Sequence, residues 1–302
     1  MKIAVVDIGT NSIRLLISEI STGTIAGPVH NVVVTGLVST RLGEGIGKNA
    51  YLLRPAMERT FDALTGFREL TEQHGAERVI AAATSAVRDA ANRQEFLELV
   101  RERTGWDVRV LSGLEEAEMS YLGVIHGLKK SVDAPVVIDI GGGSTEFIWP
   151  AAGSVKCISL RLGAVRMTEQ DAKISDIREI LDETLSSIAS AGGKNLIGVG
   201  GTITTLAAID LQMAVYDRSR VHGYCLKKET IAGILRDLEG MTVRQRQQIP
   251  GLQPERADIV VAGARIALTA VEGLQTPGIT VSETDIMYGL LYREWEKFKK
   301  TP

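Results

Sequence analysis

The feature that most constrains this chain is a bend that it makes twice. Val136 to Trp149 reads VVIDIGGGSTEFIW, a β-branched apolar run that ends in Asp139, turns through Gly141, Gly142 and Gly143, and leaves through Ser144, Thr145 and Glu146 into a second apolar run. An apolar run cut by glycines and then resumed predicts a strand, a tight turn and a returning strand. Successive glycines let backbone N–H groups converge on a large anion with no Cβ in the way. Asp139 and Glu146 flank that turn, and two carboxylates beside a phosphate call for a divalent cation. Near the start, Ile3 to Ile20 (IAVVDIGTNSIRLLISEI) repeats the construction, with Asp7, Gly9 and Ser12 in the places of Asp139, Gly141 and Ser144. One copy opens each half, which predicts two related α/β domains that arose by duplication. A third glycine turn, Ile197 to Thr202 (IGVGGT), follows an apolar strand and opens a helix-like stretch. That arrangement sets a helix N-terminus against a phosphate.

A chain of 302 residues is long enough for two domains with good cores. Its formal charge of −3 argues against a binder of nucleic-acid duplex, so a polyanionic substrate has to be held by local arginines. Cys157 and Cys225 stand far apart, outside any metal-ligand or redox spacing, and read as buried thiols of a reducing cytoplasm. No apolar run reaches membrane length, the longest candidate, Ile259 to Leu268, being interrupted by Arg265. Met1 to Asp7 enters a strand directly, without a signal-peptide pattern.

In chain order, strands and helices alternate. A third apolar segment, Pro28 to Val34, precedes the loop Arg41 to Lys48, RLGEGIGK. That loop is no nucleotide P-loop: it has three residues between Gly43 and Gly47 where a Walker motif has four, and Asn49 replaces the metal-binding Ser or Thr. Pro55 suits the first turn of a helix to about His74. Arg78 to Ala83 reads as a strand, after which Thr84 or Ser85 is expected to cap a short helix with Arg88 near its start. Arg88 has two readings, a surface ion pair with Asp89 or a ligand contact beyond a strand end. Ser112 and Glu115 have the capping-box spacing for the next helix. Leu114, Ala117, Tyr121, Leu122 and Ile125 form its expected apolar stripe. Glu116 lies off that stripe, in line with Ser120, Gly123 and Gly127; a carboxylate followed by such small residues can lie beneath another segment or on the floor of a cleft, but spacing alone favours a solvated face. The second half predicts helices over Gly163–Asp171, Asp176–Ala191, Thr202–Asp210, Lys228–Glu239, Glu255–Gly273 and Asp285–Phe298, with strands over Asn195–Val199 and Ile279–Val281.

Seven segments in order, VVDIGTNSIRLL, ATSAVRDAAN, VLSGLEEAEMSYLG, VIDIGGGSTEF, GVGGTITTLA, VHGY and PERADIVVAG, resemble the motifs of the exopolyphosphatase and guanosine pentaphosphate phosphohydrolase family. The resemblance spans nearly the whole chain. It implies the actin, Hsp70 and sugar-kinase fold: two ribonuclease-H-like domains, residues 1–125 and 126–302, with the active site in an interdomain cleft and the helix 285–298 packing back on the first domain. It also implies Mg²⁺-dependent release of terminal phosphate from polyphosphate or guanosine pentaphosphate, in a homodimer. Larger members add a C-terminal all-helical HD-type region, and no HD pair of metal-ligand character stands near Pro302.

Residue by residue, the resemblance implies that Glu116 is the base that activates water. It implies metal binding by Asp139 and Glu146, with Asp7 joining them, and phosphate contact through Gly141, Gly142, Gly143 and Ser144. Gly9, Thr10, Asn11 and Ser12 match the first phosphate motif, and Gly200, Gly201 and Thr202 the third. Arg88 and Arg41 are expected to hold chain oxygens, for which the planar guanidinium fork is suited. His222 matches an HG dipeptide with either a site role or a structural one. Two other classes share the glycine turns: a small-molecule kinase, against which SGLEEAE speaks, and a non-hydrolysing alarmone or polyphosphate sensor.

Overall fold

The computed structural model describes residues 1–21, 29–128, 132–151 and 154–299. Their contacts gather into two units, Met1–His126 joined by the C-terminal segment from Ile286, and Gly127–Asp285.

The first unit is a five-stranded sheet of β1 (Lys2–Ile8), β2 (Ile13–Ser21), β3 (Val29–Val38), β4 (Arg78–Ala83) and β5 (Val108–Val110), in the order β3-β2-β1-β4-β5. The predicted hairpin forms β1 and β2 with Asp7 opposite Arg14, and β1 runs parallel to β4. Pro28, where the sequence places the start of the third strand, lies outside the described residues. The helices are α1 (Ile46–Asn49), α2 (Arg54–Gln73), α3 (Ser85–Asp89), α4 (Arg93–Thr104), α5 (Gly113–Gly127) and, from the chain's end, α13 (Ile286–Lys299). They cover both faces of the sheet, as the unbroken apolar run of β1 requires of a strand buried on two sides. Ala4, Val6 and Ile8 enter one core with Met57, Phe61 and Phe96. Ile3 and Val5 enter the other, with Met119 of α5 and Leu291 and Trp295 of α13. Each large side chain fully buried there contributes about 1.5–3 kcal/mol.

The second unit repeats this plan. β6 (Pro135–Ile140), β7 (Thr145–Ala151), β8 (Ser154–Leu160), β9 (Asn195–Val199), β10 (Cys225–Lys227) and β11 (Gly278–Val281) lie in the order β10-β11-β9-β6-β7-β8. Read from β8, the sequence β8-β7-β6-β9-β11 matches β3-β2-β1-β4-β5, with β10 added at the edge. Its helices are α6 (Ala164–Glu169), α7 (Ile174–Ser190), α8 (Gly200–Asp210), α9 (Arg218–Val221), α10 (Lys228–Glu239), α11 (Val243–Arg246) and α12 (Val260–Gly273). The stretch expected as one helix over Glu255–Gly273 is a 3₁₀ turn at Pro254–Arg256 followed by α12. Pro254 suits that tight first turn, and the regular ladder begins only at Val260.

Two expectations for the first unit fail. Thr84 precedes α3 but makes no side-chain capping bond, and Arg88 sits in the last turn of that five-residue helix, away from its start. The buried face of α5 is Glu116, Ala117, Met119, Ser120, Gly123 and Val124, whereas Leu114 is 54% exposed. Small residues decide the difference. A Cβ on Gly289 of α13 would collide with the Met119 carbonyl, so the two backbones meet at that point, beside the face that spacing alone assigned to solvent.

Candidate active site

Strand alternation delivers the first acid. Ile3, Val5 and Asp7 share the face of β1 that α5 and α13 cover. Asp7 is 5% exposed and accepts two bonds at Oδ2 from Arg14, from Nε at 2.9 Å and Nη2 at 2.6 Å. The bend beyond it closes through Gly9 N–H to Ser12 O at 3.1 Å. A second segment grips its back. Gly43 N–H donates to Thr10 O and Arg41 N–H to Asn11 O, both at 2.8 Å. This accounts for the RLG loop: Arg41 takes a left-handed φ of 52°, and a Cβ at Gly43 would strike the Thr10 side chain. Thr10 in turn shares a 2.8 Å hydroxyl bond with Ser85 of α3, and the Asn11 amide donates to the Ser12 hydroxyl.

Glu116 stands at the start of α5. Ser112 and Glu115 form the expected capping box, with Ser112 N–H to Glu115 Oε2 at 2.9 Å and Glu115 N–H to Ser112 Oγ at 3.2 Å. The Ser112 backbone and hydroxyl bonds, followed by Arg109, hold the Glu115 carboxyl below its usual range. Glu116 faces inward at 8% exposure. Its Oε2 accepts from Arg88 Nη1 at 2.8 Å, and the same nitrogen donates to Leu111 O at 3.0 Å. Arg88 therefore pairs with Glu116 across 28 residues of chain, in place of the Asp89 pairing that sequence proximity suggested.

In the second unit Glu146 stands directly opposite Asp139 across β6 and β7, which puts both carboxylates on one face. Glu146 is 1% exposed and accepts from the Ser159 hydroxyl at 2.6 Å. Gly141 N–H closes this bend onto Ser144 O at 3.0 Å, as Gly9 does in the first. Gly200 begins α8 at φ 88°, and a Cβ there would lie 2.7 Å from Asp139 Oδ1. Only glycine lets that carboxylate lie against the helix start. Val199, the N-cap of α8, makes no side-chain capping bond, and the first-turn amides carry the positive end of the helix dipole. Thr202 is held close to α12, where a Cβ on Gly263 would lie 2.6 Å from its methyl.

Two residues of this site carry no assignment from sequence. The Arg256 guanidinium, steadied by Gln253 Oε1 at 2.9 Å, lies against the Cα of Gly201. Arg166 lies behind the triple-glycine bend and donates to Gly143 O at 2.8 Å. An arginine adjoining a glycine-rich loop in space leaves no periodic trace in the chain. His222 ties Gly127 to Glu283: its Nδ1 accepts the Glu283 N–H at 3.2 Å and its Nε2 lies 3.3 Å from Gly127 O. Nearby, burial and the Glu283 carboxylate that accepts its hydroxyl push the Tyr216 phenol far up.

A divalent cation is consistent with this donor set. Among the described residues no three His, Cys, Asp or Glu side chains gather as a metal cage. Mg²⁺ is commonly held by only one or two carboxylates together with phosphate oxygens and water. Asp139 and Glu146 supply such a pair, while Asp7 already faces a guanidinium. Among the described residues no helix is long and apolar enough to cross a membrane.

The pattern of the Ppx/GppA phosphatase family matches residues 17–298. Exopolyphosphatase 2 of Mycobacterium tuberculosis is 34% identical over 96% of this chain and 97% of its own length. The crystal structure of an exopolyphosphatase from Cytophaga hutchinsonii superposes with a TM-score of 0.89 at 28% identity, covering 98% of both chains. A guanosine-5'-triphosphate,3'-diphosphate pyrophosphatase of Vibrio atlanticus is 29% identical over 98% of this chain but 60% of its own. The repeated α/β sheets, the two aspartate-headed bends and these likenesses lead to one conclusion: the chain belongs to the Ppx/GppA phosphatase family.

Proposed function

We propose that this protein is an exopolyphosphatase, a phosphoanhydride hydrolase that releases terminal orthophosphate from inorganic polyphosphate with Mg²⁺. The observation that carries the reading is Glu116, a carboxylate 8% exposed and oriented by Arg88 at 2.8 Å. Glu116 takes the proton of a water whose oxygen attacks the terminal phosphorus, and the bond from phosphorus to the bridging oxygen breaks in line. The glycine-bend amides, the start of α8, Arg41 and Arg256 hold the phosphate oxygens, and donors already in place when charge develops do most of the catalytic work in such a transfer. Asp139 and Glu146 would hold Mg²⁺, with Asp7 as the acid of the other bend; when bound, the ion neutralises phosphate oxygens.

Guanosine pentaphosphate is the second candidate substrate, supported by the Vibrio atlanticus relative. We take the enzyme to be cytoplasmic, as its cysteine spacing suggests, and a homodimer, as the family resemblance implies; light scattering of the purified protein checks the assembly. The deciding experiment measures phosphate release from short and long polyphosphate, guanosine pentaphosphate and ATP, each with and without Mg²⁺. Release from polyphosphate that needs Mg²⁺ and falls by about two to four decades in Glu116→Gln supports the reading. Phosphorylation of an acceptor by ATP, or tight binding with no release, replaces it with a kinase or a sensor.

A further inference from the structure

Three successive carbonyls of the Gly141–Gly143 bend are fixed from behind by one short segment. Ala164 N–H donates to Gly141 O at 3.0 Å, and Val165 and Arg166 N–H donate to Gly142 O at 2.9 and 3.1 Å. The third carbonyl, Gly143 O, takes the Nε–H of Arg166 at 2.8 Å. In a planar trans peptide the C=O and N–H groups point in opposite directions. Carbonyls held toward α6 therefore aim the N–H groups of Gly142, Gly143 and Ser144 to the other side of the bend. Three such donors in series form an anion-binding concavity.

Two of these peptide planes are set by backbone donors and one by a side chain. Arg166 is 5% exposed, so its cation sits inside the unit directly behind the bend. A buried charge is felt more strongly than one in water. The bend of the first unit is gripped in another way, by the Arg41 and Gly43 amides on Asn11 O and Thr10 O.

We propose that Arg166 is a positioning residue for the second phosphate bend. It fixes the Gly143–Ser144 peptide so that the Ser144 N–H meets the bound phosphoryl group, and its buried charge adds to the attraction for that anion. The identity of the anion rests on the function proposed above, whereas the orientation of the peptide does not.

The test follows the backbone amides of Gly142, Gly143 and Ser144 by NMR while orthophosphate or tripolyphosphate is added to wild type, Arg166→Met, Arg166→Gln and Arg166→Lys. In wild type the Ser144 amide shifts on adding either anion. In Arg166→Met that response is lost and the Kd for orthophosphate rises about 10- to 100-fold. Arg166→Lys, which keeps the charge without the fork, falls between wild type and Arg166→Gln. The KM for tripolyphosphate rises with the Kd while kcat stays within about 3-fold, because the donor acts on bound substrate and transition state alike. A folded Arg166→Met with unchanged Kd and KM, or with only kcat reduced, overturns the proposal. If Arg166→Met does not fold, equal effects of Arg166→Lys and Arg166→Gln overturn it. A wild-type Ser144 amide indifferent to both anions overturns it as well. Wild type that binds orthophosphate with the Arg166-dependent response, yet releases nothing from tripolyphosphate, overturns the function and leaves this inference standing.

Discussion

Arg14 stands directly opposite Asp7 and holds its Oδ2 at 2.6 Å, at the place where Glu146 stands opposite Asp139. The duplicated bends thus differ in charge: one acid meets a cation, the other a second acid. Metal dependence should follow the acid pair. Asp139→Asn and Glu146→Gln are expected to raise the Mg²⁺ concentration for half-maximal phosphate release by about 10-fold or more, and Asp7→Asn by less. Titration with Mn²⁺ read by electron paramagnetic resonance measures the same order without turnover. An Asp7→Asn shift as large as that of Glu146→Gln would move the cation to the first unit.

Arg88 and Glu116 should act as one device, because a single guanidinium nitrogen joins the carboxylate to Leu111 O. Glu116→Gln is expected to lower kcat by about 10²–10⁴ and Arg88→Met by about 10–10². The double variant should be no slower than Glu116→Gln, since Arg88 then has no base left to orient. Fully additive losses would mean that Arg88 works on the substrate instead.

Gly163 is where the second bend and the start of α6 meet. A Cβ there would overlap the Gly142 carbonyl and come within 2.6 Å of the Gly143 carbonyl carbon, and neither can retreat without disturbing the bend. Gly163→Ala is expected to cost about 1–3 kcal/mol in urea unfolding and to lower kcat/KM more than ten-fold. Gly66, inside α2, has open space where a Cβ would go. Gly66→Ala should therefore leave activity alone and stabilise by up to about 1 kcal/mol.

Glu115 makes a prediction in pH. Its folded-state pKa is depressed, chiefly by the Ser112 backbone N–H, so its contribution to stability is present above the ordinary carboxylate range and lost as pH falls through the folded value. Thermal unfolding of Glu115→Gln should start below wild type at pH 7, and the two curves should converge as the buffer drops below about pH 4. A difference that persists at acid pH would assign the effect to packing.

Much of the site was legible because its parts are local. Asp7 with Gly9 and Asp139 with Gly141 announce themselves as strand ends followed by glycines, and Gly200 marks a strand running into a helix. Ser112 and Glu115 cap α5 as their spacing requires, because a capping box is an interaction within one turn. Other readings depended on partners that sequence spacing does not reveal. Glu116 lay on what looked like a solvated face, and the element that buries that face, α13, begins at Ile286. The partner of Arg88 lies 28 residues away instead of next door. Arg166, and Arg256 within PERADIVVAG, received no role because an arginine has no local signature of lying beside a glycine turn in space.

By itself the chain determined that it would fold as two related α/β units and that acids and glycines would collect at their strand ends, because unbroken apolar runs and glycine bends declare themselves within a few residues. Tertiary structure alone decided which acid Arg88 meets, which face of α5 is buried, and which cation lies behind the glycines. Those outcomes depend on what another stretch of chain brings across the sheet, and neither spacing nor composition encodes that approach.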